Sequence, residues 1–290
     1  MAEPIGNPLT WTVGVLNRGT KHVADGAGEL GGAASAPIEI ADLRVSDLEE
    51  ALMKGLDDFR AFRTDVMALV VVYPILGALL TGFALHRQLL PMIFPMVAGF
   101  ALLGPVAAIG LYELSRRREA GLRANWGDAF AVMGSPSFMP ILALGGFLVG
   151  LFLVWIFAAF TLYDVTLGPE PPASAGAFLH AVFTTPEGWA MILVGVAVGA
   201  VFAAAALAVG LISFPLLLDR HVGLPRAVVT SVQVALHNPA VTAAWGAIVV
   251  ILLGIGVLTL MVGLIFVLPV LGHATWHLYR RAIPAPARRG

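Results

Sequence analysis

The 290-residue chain is 59% hydrophobic and only 12% charged, with a mean hydropathy of +0.89 and a formal net charge of −1. That balance lies far from that of soluble domains and reads as an integral membrane protein, and the near-neutral charge gives no electrostatic footprint for nucleic acid. With no cysteine, disulfides, thiolate zinc sites, cysteine-held iron–sulfur clusters and covalent c-type haem are excluded, so any metal would need His and carboxylate ligands.

The opening MAEPIGNPLTWTVG has neither the basic start nor the continuous apolar run of a cleavable signal, so the first span is expected to direct insertion. Residues 1–43, rich in Gly, Ala and polar residues, show no sustained period and read as a mostly disordered cytoplasmic tail. An amphipathic interfacial helix is expected over 44–65. Ser46 and Glu49 have capping-box spacing, while Leu48, Leu52, Leu56, Phe59 and Phe62 share one side, opposite Asp47, Lys54, Asp57 and Arg60.

A crossing of ~30 Å at ~1.5 Å per residue takes about 20 apolar residues. Such stretches lie near 66–85, 91–113, 138–162 and 188–216. A last apolar region, 241–279, would make a helix of roughly 58 Å, about twice the hydrocarbon thickness. It is either one long tilted helix or a hairpin of two short spans turning near Gly254, Gly256 and Gly263.

The basic residues choose between these. Six spans with a cytoplasmic N-terminus put sixteen of the seventeen Lys and Arg residues inside and leave only Arg87 outside, whereas five spans give twelve against five. The positive-inside bias favours six. The expected fold is therefore an all-α polytopic transmembrane bundle. It has a six-span domain over 66–281, a short basic tail over 282–290, and both termini on the cytoplasmic side of a bacterial inner membrane.

The loop after the third of these stretches, DVTLGPEPPASAGAFLHAVFTTPEG, carries no Lys or Arg, as an exported segment should, and its AGAFLHAVF suits a short interfacial helix. The two inner loops, 114–137 and 217–240, follow one pattern: Arg118, Gly121 and Leu122 against Arg220, Gly223 and Leu224, then Ser135-Pro136 against Asn238-Pro239. The offset is 102 residues at the Arg and Gly-Leu and 103 at the Pro. This predicts a parallel internal repeat.

His273 and His277 stand one helical turn apart near the end of the last apolar region, the spacing a bis-histidine metal or haem site would use. Trp276, Tyr279, Arg280 and Arg281 around them are equally the aromatic belt and basic flank of a helix leaving the bilayer. No zinc-protease HExxH pattern or third ligand accompanies them, so the expectation is packing and anchoring without a cofactor, with His273 buried and hydrogen-bonded and His277 reaching water. Asp219, His237 and Asn238 cluster at the cytoplasmic ends and form the other candidate binding residues. None of these groups falls at mid-bilayer, where ion-coupled carriers place theirs. Pro74, Pro95, Pro105 and Pro215 could break helices, although proline is common in membrane helices. Gly146 and Gly150, and Gly195, Gly199, Ala203 and Ala206, make small-residue ridges suited to close helix packing. No phosphate loop, dinucleotide fingerprint or nucleophile elbow occurs.

The run SFPLLLDRHVGLPRAVVTSVQVALHNPAVTAAWG, with VLPVLGHATWHLYRR and VSDLEEALMKGLDDFRAFRTD, resembles a family of predicted integral membrane proteins found in alphaproteobacteria, over most of residues 45–281. Relatives of that family sometimes carry the label cytochrome c oxidase subunit I. That chemistry needs membrane-embedded histidines for its haems and copper, and of the seven here His22, His86, His180, His221 and His237 fall in tails or loops. What the resemblance implies is a membrane protein without an assigned reaction. The sequence thus suggests a non-catalytic accessory or scaffold protein in the lipid bilayer, beside a membrane protein complex such as a respiratory one. Its competitors are a transporter or channel for a small or lipidic solute and a haem or metal protein using His273 and His277.

Overall fold

The structure is a computed structural model that describes residues 38–70, 75, 77, 79, 82, 89–220 and 222–284. Among these residues the regular structure is helical throughout, without a strand. An extended segment, 38–44, leads into α1 (Val45–Val70). The helix starts on an acidic cap different from the expected Ser46/Glu49 pair: the Arg44 backbone N–H donates to Asp47 Oδ2 at 2.7 Å. Asp47 sits one turn in and neutralises a donor that has no partner in the helix. The predicted first span, 66–85, lies mostly outside the described residues.

A long apolar stretch, Leu90–Glu119, follows as short pieces: 3-10 turns at Leu90–Met92 and Ala101–Leu103, α2 (Ile93–Phe100), α3 (Gly104–Ala107) and α4 (Ile109–Glu119). Pro95 and Pro105 lie in it, and proline removes a donor and crowds the preceding turn. The Pro95 carbonyl instead accepts from Trp155 Nε1 at 2.8 Å. A 3-10 segment, Trp126–Gly134, capped by Asn125, leads to α5 (Phe138–Thr166). The polar loop carries α6 (Ala175–Thr184), capped by Ser174, where the interfacial helix is expected.

Then come α7 (Pro186–Gly210), α8 (Ser213–Asp219), α9 (Leu224–His237) and α10 (Pro239–Leu258). The break between α7 and α8 is satisfied from α9: Ser231 Oγ accepts from Ile212 N–H at 3.2 Å and donates to the Ala208 carbonyl at 2.8 Å. The loops 114–137 and 217–240 each hold a glycine at positive φ, but in different places: Gly121 at φ 70° just after α4 ends, and Gly223 at φ 77° as the residue that starts α9, a conformation that costs glycine little.

The apolar region 241–279 is a hairpin. α10 ends at Leu258 and α11 spans Leu264–Ala282, with Leu260 and Met261 left-handed in the turn at φ 55° and 65°. The turn falls beyond Gly254 and Gly256, which stay helical. Thr259 Oγ1 closes it by accepting from Gly263 N–H at 3.0 Å. The far ends of both arms meet the same strap. Asn238 Oδ1 accepts from Leu43 N–H at 2.8 Å, and Ala41 N–H donates to the Ala282 carbonyl at 3.0 Å. The arms therefore run antiparallel.

Four described stretches are long and apolar enough to cross a membrane: Leu90–Glu119, Phe138–Thr166, Pro186–Asp219 and Pro239–Leu258. α11 is not among them, because its last turns carry His273, His277, Arg280 and Arg281. It packs along α1. There Gly55 brings the two backbones together, since a Cβ on it would stand 2.6 Å from Ala274 N and 2.8 Å from the Val270 carbonyl.

Candidate functional site

Polar chemistry gathers where α1, α4 and α11 meet. On α1 the buried face is Leu48, Ala51, Gly55, Asp58 and Phe59, so a carboxylate occupies the apolar side of an amphipathic helix. Asp58, 4% exposed, is the hub. Its Oδ2 accepts from Ser115 Oγ at 2.6 Å and from His277 Nε2 at 2.8 Å, and its Oδ1 accepts from Arg118 Nη1 at 2.5 Å. One side chain thus ties three helices. Burial pushes the Asp58 carboxyl up, but hydrogen bonds from His277 and Ser115 lead the opposing effects and hold it below the ordinary value of 3.8.

His273 is fully buried and stacks on Phe62, ring centroids 6.2 Å apart. Its Nδ1 is 2.7 Å from Ser115 Oγ. Because the single Ser115 hydroxyl proton goes to the Asp58 carboxylate, the imidazole must donate from Nδ1, which fixes the tautomer and leaves Nε2 as a bare lone pair. That atom is buried without a hydrogen-bond partner. His277 departs from expectation: it is 15% exposed and spends its Nε2–H on Asp58 rather than on water.

The other three sequence candidates fall into two further clasps. Asp219 accepts from the Tyr279 hydroxyl at 2.6 Å and from Arg280 at 3.3 Å. His237 Nε2 is 2.7 Å from Asp42, and Asn238 holds both Leu43 N–H and the Ala41 carbonyl. All five residues therefore lie at one end of the bundle, each engaged with another element. Among the described residues no group of three or more His, Asp or Glu has metal-binding geometry; His273 Nδ1 and His277 Nε2 both turn toward one carboxylate.

Sequence reasoning missed Asp58, Ser115, Arg118 and Glu119. Glu119 accepts from Trp276 Nε1 at 2.9 Å and from Arg280 at 3.0 Å. The signal for Asp58 was present: it continues the spacing Leu48, Ala51, Gly55 on the helix face that must be covered.

Two cavities accompany these elements. A polar cleft of about 530 Å³ opens over Asp58 and Ser115, between Lys54, Arg118, Arg280 and Arg281. An apolar cavity of about 720 Å³ lies among Met96, Ile141, Val149, Leu253 and Leu268. Asp219, His237 and Asn238 line neither.

A helical chain with four apolar stretches of spanning length, the ion pairs of its described residues gathered at one end, is an integral membrane protein. Residues 93–219, from α2 through α8, match the family described as "Predicted integral membrane protein (DUF2189)". Neither curated proteins nor solved structures give a match.

Proposed function

We propose that this is a six-span protein of a bacterial inner membrane, with both termini cytoplasmic, acting as a non-catalytic accessory or scaffold protein. The observation that carries the reading is the state of its polar residues. Asp219, His237, Asn238, His273 and His277 are each bound to a partner on another element and knit the helix ends into a plate. Groups occupied in this way hold shape, whereas catalysis and ion transport need polar groups aimed at a substrate or a path. The sixteen-to-one basic count supports the orientation, and the matching Arg, Gly-Leu and Pro spacing of the two inner loops supports the internal repeat.

Copurification from native membranes in mild detergent tests the role. A stoichiometric membrane protein partner is expected, and a chain recovered alone from repeated preparations with a bound small solute refutes it. Topology is tested separately with reporter fusions. A cytoplasmic reporter after Gly290 and a periplasmic one near Pro172 are both expected to be active, and a silent reporter at Gly290 refutes the six-span orientation. A second reading, carriage of a lipidic solute, is favoured by the apolar cavity, whose volume falls in the range of ~300–1,000 Å³ usual for ligand pockets.

A further inference from the structure

The polar cleft has a surplus of donors. Four cationic side chains line it, Lys54 from α1, Arg118 from α4, and Arg280 and Arg281 from α11, against three carboxylates, Asp57, Asp58 and Glu119. Two of the carboxylates are tied into the helix junction and the third is turned to solvent, 61% exposed, with one ion pair. Asp58 accepts from Ser115, His277 and Arg118, Glu119 from Trp276 and Arg280, and Asp57 from Arg60 at 3.1 Å.

The cations are not used up to the same degree. Among the described residues Arg118 spends one nitrogen, on Asp58, and Lys54 pairs with Glu50 at 2.9 Å. Arg280 uses Nε and Nη1, on Glu119 and Asp219, and Arg281 uses Nη2 on Glu50 with Asp47 beside its Nε. A guanidinium has five N–H groups and an ammonium three, so each of these side chains keeps donors in hand. Arg118 and Lys54 remain 42% and 51% exposed. A pocket with four cations against three carboxylates, and with N–H groups left over on those cations, suits an acceptor-rich anion, and planar guanidinium edges suit phosphate oxygens.

Position narrows the source. Ser115, Arg118 and Glu119 are the last turn of the apolar stretch Leu90–Glu119, so the cleft stands where a spanning helix leaves the hydrocarbon. Phosphates of membrane lipids lie at that level, and basic pockets between helices at a membrane surface bind anionic headgroups. We propose that this cleft binds a phosphate group, with Arg118, Lys54, Arg280 and Arg281 as its donors. This goes beyond the accessory reading and does not depend on it.

The test titrates the full-length protein in detergent with two pairs of probes, each differing by the phosphate alone: dioleoyl phosphatidic acid against dioleoylglycerol, and glycerol 3-phosphate against glycerol. Adducts are counted by native mass spectrometry at low and high salt. Tighter binding of either phosphate-bearing probe than of its partner, weakened by salt, is expected. The lipid arm alone marks a headgroup site, and the soluble arm alone marks a free phosphate ester. Arg118→Gln with Lys54→Gln should weaken that binding at least tenfold, whereas Arg123→Gln, at an exposed arginine that does not line the cleft, should leave it intact. Absence of discrimination within both pairs overturns the proposal, as does wild-type binding in the double variant. Should that variant fail to fold, the salt dependence and the paired probes on the unaltered chain decide.

Discussion

Removing the carboxylate of Asp58 should loosen α1 from α4 and α11 more than any other single polar truncation in the protein. In Asp58→Ala three donors lose their acceptor at once. Arg118 is 42% exposed and recovers water, which discounts its share. Ser115, 1% exposed, and His277, 15% exposed, recover little. A buried donor left without a partner costs about 1–3 kcal/mol, and breaking a buried pair about 3–5. With the exposed arginine discounted, the expected loss is about 3 kcal/mol. Asp58→Asn keeps the volume and one acceptor oxygen and should cost about half as much.

Acid gives an independent handle on the same group. The folded-state pKa of Asp58 is depressed, so near that value the unfolded chain binds more protons than the folded one, and stability falls as pH falls. The contribution is fully present above 3.8 and disappears as pH drops through the lowered value. Both effects are read from unfolding in mixed micelles with increasing dodecyl sulfate, followed by tryptophan fluorescence. An Asp58→Ala protein within about 0.5 kcal/mol of wild type, the range of ordinary surface substitutions, would refute the hub.

Backbone contact gives the second test: Gly55→Ala places a methyl against Ala274 and Val270 main-chain atoms, which cannot swing aside, and should cost about 1–3 kcal/mol in the same assay. Gly199→Leu should also destabilise, because a Cβ there already stands 3.2 Å from the Trp155 ring, while Leu193→Phe, at a side chain 66% exposed, serves as a neutral control. Equal stability of the Gly199 and Leu193 variants would show that α7 does not pack on α5 there. His273→Ala should cost about 1–3 kcal/mol by stranding Ser115 and the Phe62 face, and His277→Ala about 1 kcal/mol, since Asp58 keeps two other donors. Protein from native membranes should be colourless and free of stoichiometric iron, copper or zinc by elemental analysis; one equivalent of metal, lost in both histidine variants, would reverse the structural reading of the pair.

Much of this architecture was written in the sequence because membrane insertion is a local rule. Twenty apolar residues demand a helix wherever they occur, since a backbone in hydrocarbon must satisfy itself, and the stretches 91–113, 138–162 and 188–216 recur as Leu90–Glu119, Phe138–Thr166 and Pro186–Asp219. The same rule made 241–279 too long for one crossing, and the burial of His273 followed from its place inside the basic flank.

Packing between distant segments decided the rest. Among the described residues an added Cβ at Gly146 or Gly150 meets nothing within 4 Å, whereas Gly55, unmarked by any ridge, is where two backbones touch. The hairpin turn reaches Gly263, as the sequence allowed, but its left-handed positions fell on Leu260 and Met261 rather than on a glycine. His277 finds a carboxylate rather than water because α1 and α11, more than two hundred residues apart, lie antiparallel and bring Asp58 to it. Helix formation depends on neighbours in sequence, whereas the partner of a polar side chain depends on which faces the whole chain buries together. Asp58 could be seen from the sequence to occupy an apolar face, but only the tertiary fold supplied Ser115, Arg118 and His277 to receive it.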